Sequence, residues 1–326
     1  MRALVTGGAG FIGRHLTRGL LAAGHRAVLL DDFSTGSPAA ADELVAAGAE
    51  VVAGSVLDAA TVDRLVAGAD AVFHLAAVVG VRLVVASPLA CLRTNIHGTE
   101  HVLAAAHRHG ARVLVASTSE VYGRNGAGPL AEDADRVLGS PLTGRWSYAE
   151  AKAVDEAMAA AYHRECGLWT VVCRLFNVVG PGQTGRYGMV LPRFVDQALR
   201  GEPLTVYGDG SQTRSFCYVG DAVTGLLGLA DAAAARGRAV NIGRPEEVSI
   251  VDLAGRVLAA TGSASPLRLV PYQQVYGPDF EDPPRRLPDI SLARRLIGFD
   301  PLVGLDEVIR LVIADRRAAA GGGHAG

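Results

Sequence analysis

A tyrosine and a lysine four residues apart, Tyr148 and Lys152, stand at the start of a helical stretch of the sequence. One helical turn separates them, so both side chains project from the same face. An ammonium beside a phenol favours the phenolate and lowers the tyrosine pKa, which makes the tyrosine a usable general base near neutral pH. Surface Tyr-Lys pairs with this spacing are common, so the pair alone does not predict an active site.

Hydroxyls and a carboxylate follow an apolar run elsewhere in the chain. The run 113–116 is followed directly by Ser117, Thr118, Ser119 and Glu120. If the run is a buried parallel strand, these side chains stand at the carboxyl edge of the sheet, where ligands of such sheets bind. Serine and threonine also serve as helix N-caps, which is the alternative interpretation. Together with the Tyr-Lys pair, the four residues favour a catalytic edge.

A third group is glycine-rich and follows the first apolar run, 3–5. Gly7, Gly10 and Gly13 are spaced for a tight turn, a close phosphate approach and close helix-strand packing. Asp31 ends the next apolar run, where an adenosine ribose lies in a dinucleotide site. Its carboxylate accepts both ribose hydroxyls and repels a 2′-phosphate. The pattern therefore predicts NAD, rather than NADP, at a helix N-terminus.

Short apolar runs and helical stretches alternate up to about residue 175, which predicts an α/β fold with a Rossmann-type, doubly wound parallel sheet. After residue 180 glycine and proline become frequent and the elements shorten, which indicates a smaller lobe. We predict an NAD-binding domain over 1–175, a substrate-binding lobe over 176–320 with some strands returning to the main sheet, and a disordered tail over 321–326.

Composition narrows the class of protein. The net charge of -2 argues against a nucleic-acid partner, because phosphate-tracking surfaces need an excess of Lys and Arg. The most apolar window, 72–85, contains His74, Gly80 and Arg82 and is too short for a membrane span. Four scattered cysteines show no metal-ligand spacing, so we predict no metal and a reducing, cytoplasmic location.

With these motifs in place, the chain resembles the extended short-chain dehydrogenase/reductase family of enzymes that modify nucleotide sugars. The resemblance covers nearly the whole sequence. The motifs that carry it are GGAGFIG at 7–13, DDFSTG at 31–36, HLAA at 74–77, TNIHGT at 94–99, STSEVYG at 117–123, YAEAK at 148–152, RLFNVVGP at 174–181, GEPLTVYGDGSQTRSF at 201–216 and RRLPDI at 285–290.

The resemblance assigns roles to the catalytic candidates. Tyr148 would take the proton from the sugar 4-hydroxyl as the C4 hydride passes to NAD, and Thr118 or Ser119 would hydrogen-bond the reacting oxygen. Lys152 would hold the nicotinamide ribose. By the same resemblance, the residues expected to contact NAD are Gly7, Gly10, Phe11, Ile12, Asp31, Asp32, Ser34, Thr35, Gly36, Ser55, Val56, Leu75, Ala76, Ala77, Asn95, Ser117, Tyr148 and Lys152.

Glu120 separates the branches of this family, because simple 4-epimerases usually carry a small residue at that position. The sequence Thr118-Ser119-Glu120 resembles that of UDP-glucuronate decarboxylases, whereas dTDP-glucose dehydratases typically have an Asp-Glu pair. The resemblance thus implies oxidation at C4, loss of the C6 carboxylate as carbon dioxide and return of the hydride to give UDP-xylose. A UDP-glucuronate or UDP-hexose 4-epimerase is the alternative within the family.

The expected UDP-sugar contacts also follow from the resemblance. They are Thr118, Asn177, Arg186, Leu191, Tyr207, Arg214 and Arg286. In the epimerase alternative, Arg186 would hold the uronate carboxylate so that it does not leave. Ser55 departs from the family, which usually has an Asp there that meets adenine. The apolar faces of 89–109 and 148–165 resemble the family's dimer helices, so we expect a homodimer; a non-catalytic NAD-binding regulator is the remaining alternative.

Overall fold

The chain is described by a computed structural model that covers residues 1–277 and 280–322. Its strands are short and mostly buried. In chain order, the thirteen strands of the described residues are β1 (Arg2–Thr6), β2 (Arg26–Asp31), β3 (Glu50–Ala53), β4 (Ala71–His74), β5 (Arg112–Thr118), β6 (Thr170–Leu175), β7 (Val178–Val179), β8 (Leu204–Tyr207), β9 (Thr213–Arg214), β10 (Cys217–Tyr218), β11 (Ala239–Ile242), β12 (Val248–Ser249) and β13 (Leu267–Val270).

Helices connect and cover these strands. Within the same part of the chain they are α1 (Phe11–Ala22), α2 (Pro38–Ala46), α3 (Ala59–Val66), α4 (Val81–Ala86), α5 (Pro88–His109), α6 (Ser147–Cys166), α7 (Val190–Leu199), α8 (Val219–Asp231), α9 (Ile250–Thr261), α10 (Tyr272–Tyr276), α11 (Ser291–Ile297) and α12 (Leu305–Gly322). Gly110 and Gly167, with φ of 74° and 67°, end α5 and α6 in the left-handed conformation that favours glycine.

Seven parallel strands form the main sheet, in the order β11-β6-β5-β4-β1-β2-β3. The predicted Rossmann-type fold is confirmed. The strand order reverses between β1 and β4, and this switch point is where ligands bind in open parallel sheets. Because parallel strands share one direction, the carboxyl ends of β1, β4 and β5 bring Thr6, His74 and Thr118 to one edge.

Both faces of the sheet are covered by apolar helices. One buried cluster lies between the sheet and α1, α8 and α11, and a second lies between the sheet and α3, α5 and α6. A separate cluster joins β8 with α7, α9 and α12, and so supports the later segments. Strand β11 comes from this later half of the chain and pairs with β6 in the main sheet. The segments around the separate cluster, β8 with α7, α9 and α12, are called the second lobe below.

Residues 323–326 of the predicted tail lie outside the described residues, whereas residues 321 and 322 belong to α12. Among the described residues, no helix is long and apolar enough to cross a membrane.

Candidate active site

A cleft of about 780 Å³ opens at the carboxyl edge of the sheet. Its wall combines residues of the glycine turn, the strand ends and the second lobe. Of the residues predicted from the sequence, the cleft is lined by Gly7, Gly10, Phe11, Ile12, Asp31, Asp32, Ser34, Thr35, Val56, Leu75, Ala76, Ala77, Ser117, Thr118, Ser119, Glu120, Tyr148, Asn177, Leu191, Tyr207, Arg214 and Arg286.

The glycine turn leaves room that side chains would fill. A Cβ on Gly10 would lie 3.1 Å from the Gly7 carbonyl oxygen, and a Cβ on Gly13 would lie only 2.2 Å from the same atom. Gly10 is the N-cap of α1 and supplies no side-chain cap, so the first amides of the helix remain available. This cradle fits a dinucleotide pyrophosphate, as the sequence predicts.

The carboxylate of Asp31 ends β2 beside this turn and is 7% exposed. Its oxygens accept hydrogen bonds from the amides of Ala9 (2.9 Å) and Phe33 (2.8 Å). Burial raises the pKa of Asp31, and these amides act against that rise. The carboxylate is therefore held in a fixed orientation at the place where the sequence predicts a ribose.

Tyr148 lies on the first turn of α6 and lines the cleft. Burial is the largest influence on its phenol and raises its pKa, and the carboxylates of Glu120 and Asp155 raise it further. The hydroxyl of Thr118 acts in the opposite direction. Burial and the two carboxylates therefore act against the depression of the Tyr148 pKa that the Tyr-Lys spacing predicts.

Lys152 is 2% exposed, and its Nζ lies 2.8 Å from Asp155 Oδ2. The two residues are one turn apart on α6, and the Asp155 side chain is fully buried. The ammonium predicted to assist Tyr148 is thus already paired with a carboxylate that the sequence analysis did not single out.

Glu120 lies between two guanidinium groups. Its Oε1 accepts a 2.7 Å hydrogen bond from Arg286 Nη1, and its Oε2 lies 2.5 Å from Arg145 Nη1. Burial raises the pKa of Glu120, but the two guanidiniums lower it by more, so this pKa lies well below its usual range. Nε and Nη2 of Arg286 have no hydrogen-bond partner among the described residues. The site therefore offers a fixed carboxylate and unpaired donors together.

The second lobe adds cationic and aromatic side chains. Arg214 Nη2 donates to Asp282 Oδ2 at 2.6 Å, and both residues line the cleft. The Arg193 guanidinium lies 4.0 Å from the centre of the Tyr207 ring, and its Nε and Nη1 have no partner among the residues described. Asn177, with a positive φ of 31°, donates to the Ser215 carbonyl at 2.9 Å. These donors suit an anionic ligand with an aromatic base.

Five predicted site residues do not line the cleft: Gly36, Ser55, Asn95, Lys152 and Arg186. A Cβ on Gly36 would lie 2.7 Å from Asp31 Oδ1, so this glycine makes room for Asp31. The buried Asn95 side chain accepts a hydrogen bond from the Val78 amide and donates one to the Val78 carbonyl. The Ser55 hydroxyl accepts a hydrogen bond from the Leu57 amide. Arg186 is exposed and lies over the ring of Tyr187. It is not among the residues that line the cleft, and its expected place beside a uronate stays a prediction.

Sequence reasoning missed several residues of the cleft. Arg145 precedes Tyr148 by three positions and enters through a short 3-10 helix, Gly144–Trp146, whose conformation no motif indicates. Four further cleft residues lie at least 120 positions beyond the Tyr-Lys pair. Only the fold brings these residues to the cleft: Tyr272, Tyr276, Phe280 and Asp282.

The arrangement of the glycine cradle, the acidic strand end and the Tyr-Lys helix defines a dinucleotide-dependent enzyme of the Rossmann class. The chain belongs to the NAD dependent epimerase/dehydratase family, whose model matches residues 3–243.

Individual relatives refine this assignment. The chain is 39% identical over 313 residues to a UDP-N-acetyl-alpha-D-glucosaminuronate decarboxylase of Bacillus cytotoxicus, covering 96% of each chain. It is 38% identical over 312 residues to UDP-glucuronic acid decarboxylase 1 of Danio rerio, covering 96% of this chain and 72% of the relative. A solved UDP-glucuronic acid 4-epimerase from Bacillus cereus, in complex with UDP-glucuronic acid and NAD, has a TM-score of 0.87 and 29% identity over 98% of this chain and 100% of that chain.

Proposed function

We propose that this protein is an NAD-dependent UDP-glucuronate decarboxylase that releases carbon dioxide and forms UDP-xylose. The observation that carries the proposal is Glu120, fixed between Arg145 and Arg286 beside the hydroxyls of Thr118 and Ser119. The decarboxylases named above support the reaction, and the enzymatic family supports turnover rather than a regulatory role.

The reaction begins at the sugar C4. The glycine turn and Asp31 would hold NAD, which would supply the hydride acceptor and donor for C4. Tyr148 takes the proton of the 4-hydroxyl, and Thr118 or Ser119 orients the oxygen. The first oxidation makes the C6 carboxylate that of a β-keto acid, so carbon dioxide leaves as its bonding electrons flow into the C4 ketone. Donors from Tyr148 and Thr118 stabilise the enolate oxygen.

A proton transfer to C5 follows the loss of carbon dioxide. C5 must gain a proton before the hydride returns to C4. Glu120 and Arg286 lie at the cleft wall and can position a proton donor there, while the unpaired Nε and Nη2 of Arg286 suit an anionic substrate. Arg214 and Arg193 would meet the diphosphate and nucleotide, with Tyr207, Leu191 and Asn177 around the base.

The 4-epimerase alternative shares the first step, the oxidation at C4. Its sequence argument depended on Arg186 holding the uronate carboxylate in place, and the exposed Arg186 side chain does not support that role. The paired Glu120 favours decarboxylation instead. With the proposed division at about residue 175 and a second lobe over 176–320, the substrate would lie between the two lobes.

Product analysis tests the proposal directly. Purified protein is incubated with UDP-glucuronate, with and without added NAD, and the products are separated by mass spectrometry. We expect carbon dioxide and UDP-xylose in equal amounts. UDP-N-acetylglucosaminuronate runs in parallel, because one of the relatives above is named for it. A uronate product that keeps all its carbons would favour the epimerase and exclude decarboxylation.

We also propose that the chain works in the cytoplasm as a homodimer. Helices α5 and α6 pack against each other and leave Leu89 and Val154 59% and 41% exposed. Cys91, Cys173 and Cys217 are buried free thiols, and burial raises the pKa of each, as suits a reducing compartment. Light scattering of the purified chain tests the dimer; a monomer mass would exclude it.

A further inference from the structure

Arg145 is a buried cation at the wall of the cleft, and the steps of the proposed reaction do not use it. Its side chain is 4% exposed, and its Nη1 lies 2.5 Å from Glu120 Oε2. The other oxygen of that carboxylate, Oε1, accepts a 2.7 Å hydrogen bond from Arg286 Nη1. Each carboxylate oxygen therefore has its own guanidinium, which fixes the plane of the carboxylate as well as its position.

Charge balance does not account for both of these guanidiniums. Arg286 alone is enough to neutralise Glu120, and a buried charge without a partner is costly. Asp282, another carboxylate of the cleft wall, is itself paired with Arg214 at 2.6 Å. Nε of Arg145 has no hydrogen-bond partner among the described residues. The second guanidinium at Glu120 is therefore an added cost to folding.

The backbone ties Arg145 to the helix that carries Tyr148. Arg145 belongs to the 3-10 helix Gly144–Trp146, and α6 follows it directly. Trp146 is fully buried, and the Arg145 guanidinium lies 5.5 Å from the centre of its ring. The centre of the Phe280 ring lies 5.7 Å from the same guanidinium. Packing on two rings thus fixes the cation just before the start of α6.

We propose that Arg145 is a positioning residue: it fixes the Glu120 carboxylate relative to Tyr148, so that C5 receives its proton on one face before the ketone leaves the cleft. The proposal rests on the proposed function, in which Tyr148 serves the C4 oxygen while Glu120 and Arg286 position the proton donor for C5. A single hydrogen bond, from Arg286, would leave the carboxylate free to turn about the axis of that bond. The contact with Arg145 removes this freedom.

The step that depends on Arg145 comes after carbon dioxide has left. Breaking the C5–C6 bond leaves its electron pair in the enolate of the C4 ketone. C5 then takes one proton from a donor in exchange with solvent, and the hydride returns to C4 as Tyr148 gives its proton back to the oxygen. The overall reaction converts the uronate and one solvent proton into the pentose and carbon dioxide. The earlier steps depend on Tyr148 and Thr118 instead.

The ratio of the two products tests the proposal. Arg145→Met keeps much of the length of the side chain and removes its charge, and Arg286 still neutralises Glu120, so the variant should fold. Because a misplaced group costs about a hundredfold in rate, the later step should become slow enough for the ketone to escape. We expect carbon dioxide to exceed UDP-xylose by about twofold or more, with the difference recovered as a UDP-linked 4-keto pentose.

Arg136→Gln is the matched control. Arg136 donates to the carbonyl of Val121, the residue after Glu120, and pairs with Glu150 on α6. Its side chain is 39% exposed and is not among the described residues that line the cleft. The control therefore removes the same charge from the same two elements. We expect it to form carbon dioxide and UDP-xylose in equal amounts.

A second measurement follows the face on which C5 is protonated. In deuterium oxide each turnover places one deuterium on C5 of UDP-xylose, which carries two hydrogens, and NMR distinguishes the two positions. We expect the wild type to label one position and Arg145→Met to label both. Arg145→Lys, which keeps a cation there, should recover part of this selectivity. Neither the product ratio nor the label depends on how much of the preparation is folded.

An excess of carbon dioxide or a mixed label in Arg145→Met supports the proposal. Equal products together with a single labelled position would overturn it, as would failure of both Arg145 variants to fold, since that outcome makes the guanidinium a folding requirement only. The two proposals fail separately. If the wild type releases no carbon dioxide from UDP-glucuronate, the proposed function fails; if the wild type forms UDP-xylose and the Arg145 variants behave in the same way, only the positioning role fails.

Discussion

Glu120 Oε1 accepts a 2.7 Å hydrogen bond from Arg286 Nη1, although the two residues are 166 positions apart. Glu120 belongs to the 3-10 helix that follows β5, and Arg286 lies in the segment that precedes α11. The ion pair therefore joins the catalytic edge of the sheet to a later segment that also brings Asp282 to the cleft. Arg145 completes the cluster from the Tyr148 side.

Replacing Glu120 by Gln should lower the free energy of unfolding. The change leaves two guanidiniums buried without an anion, and breaking a buried ion pair costs about 3–5 kcal/mol. Glu247→Gln is the matched control, because Glu247 pairs at 2.7 Å with the adjacent Arg285, at side-chain exposures of 32% and 36%. An exposed pair contributes about 0–1 kcal/mol. Urea unfolding of both variants measures the difference; equal losses would contradict the buried-pair argument.

The stability difference between the wild type and Glu120→Gln should also depend on pH. The pKa of Glu120 is lowered in the folded state, so its contribution is present above the unfolded glutamate pKa of about 4.3 and is lost as the pH falls toward the folded pKa. The stability gap between the wild type and Glu120→Gln should therefore be constant from about pH 8 to pH 5. Below that range the stability gap should shrink. A gap that widens on acidification would contradict the lowered pKa of Glu120.

Replacing Tyr148 by Phe should abolish turnover of UDP-glucuronate. A general base contributes ~10²–10⁴-fold, and the same group serves both hydride steps, so the loss in kcat should exceed that range. Tyr122→Phe is the control: its hydroxyl donates to Asn241 at 2.8 Å and accepts from Arg174, away from the cleft. It should cost about 1 kcal/mol of stability with unchanged kcat. Comparable losses of activity in both variants would contradict the proton-transfer role of Tyr148.

Local patterns predict the sheet and the NAD cradle because both are coded by neighbouring residues. The glycine spacing and the runs that become β1, β2 and β5 follow from elementary sterics and burial. Partnerships across the chain are not coded locally. Glu120 and Arg286, for example, pair only because the fold brings them together from 166 positions apart. The Lys152–Asp155 pair is local, one turn apart on α6, but the spacing does not show that both side chains are buried.

Arg145 is another site residue whose place the sequence does not predict. Its sequence surroundings resemble any solvated arginine in a loop. Burial beside Glu120, which the approach of the second lobe completes, turns it into part of the site. Sequence reasoning therefore locates the catalytic edge but not the ions that set its charge.

Replacing Arg186 by Ala should change little. Its side chain is exposed, lies over Tyr187 and does not line the cleft, so we expect kcat/KM to stay unchanged. The free energy of unfolding should change by no more than about 0.5 kcal/mol, as is usual for exposed substitutions. Arg286→Ala in the same assay should be at least a hundredfold worse, because it removes a charged partner of Glu120 and donors to the substrate. Steady-state kinetics with UDP-glucuronate measure kcat/KM of both variants. A large loss in Arg186→Ala would show that Arg186 contacts the substrate.

Two helical glycines should respond in opposite ways to alanine. A Cβ on Gly13 in α1 would lie 2.2 Å from the Gly7 carbonyl oxygen and 2.8 Å from Gly8 Cα, so α1 must move away from β1. Such overpacking costs about 1–3 kcal/mol and should also weaken NAD binding by widening the phosphate cradle. In Gly255→Ala, on α9, the added Cβ meets nothing within 4 Å. Helix propensity should then stabilise the protein by about 1 kcal/mol with NAD affinity unchanged. Urea unfolding and calorimetric NAD titration measure both effects, and a Gly13→Ala protein with wild-type affinity would show that the cradle tolerates a wider turn.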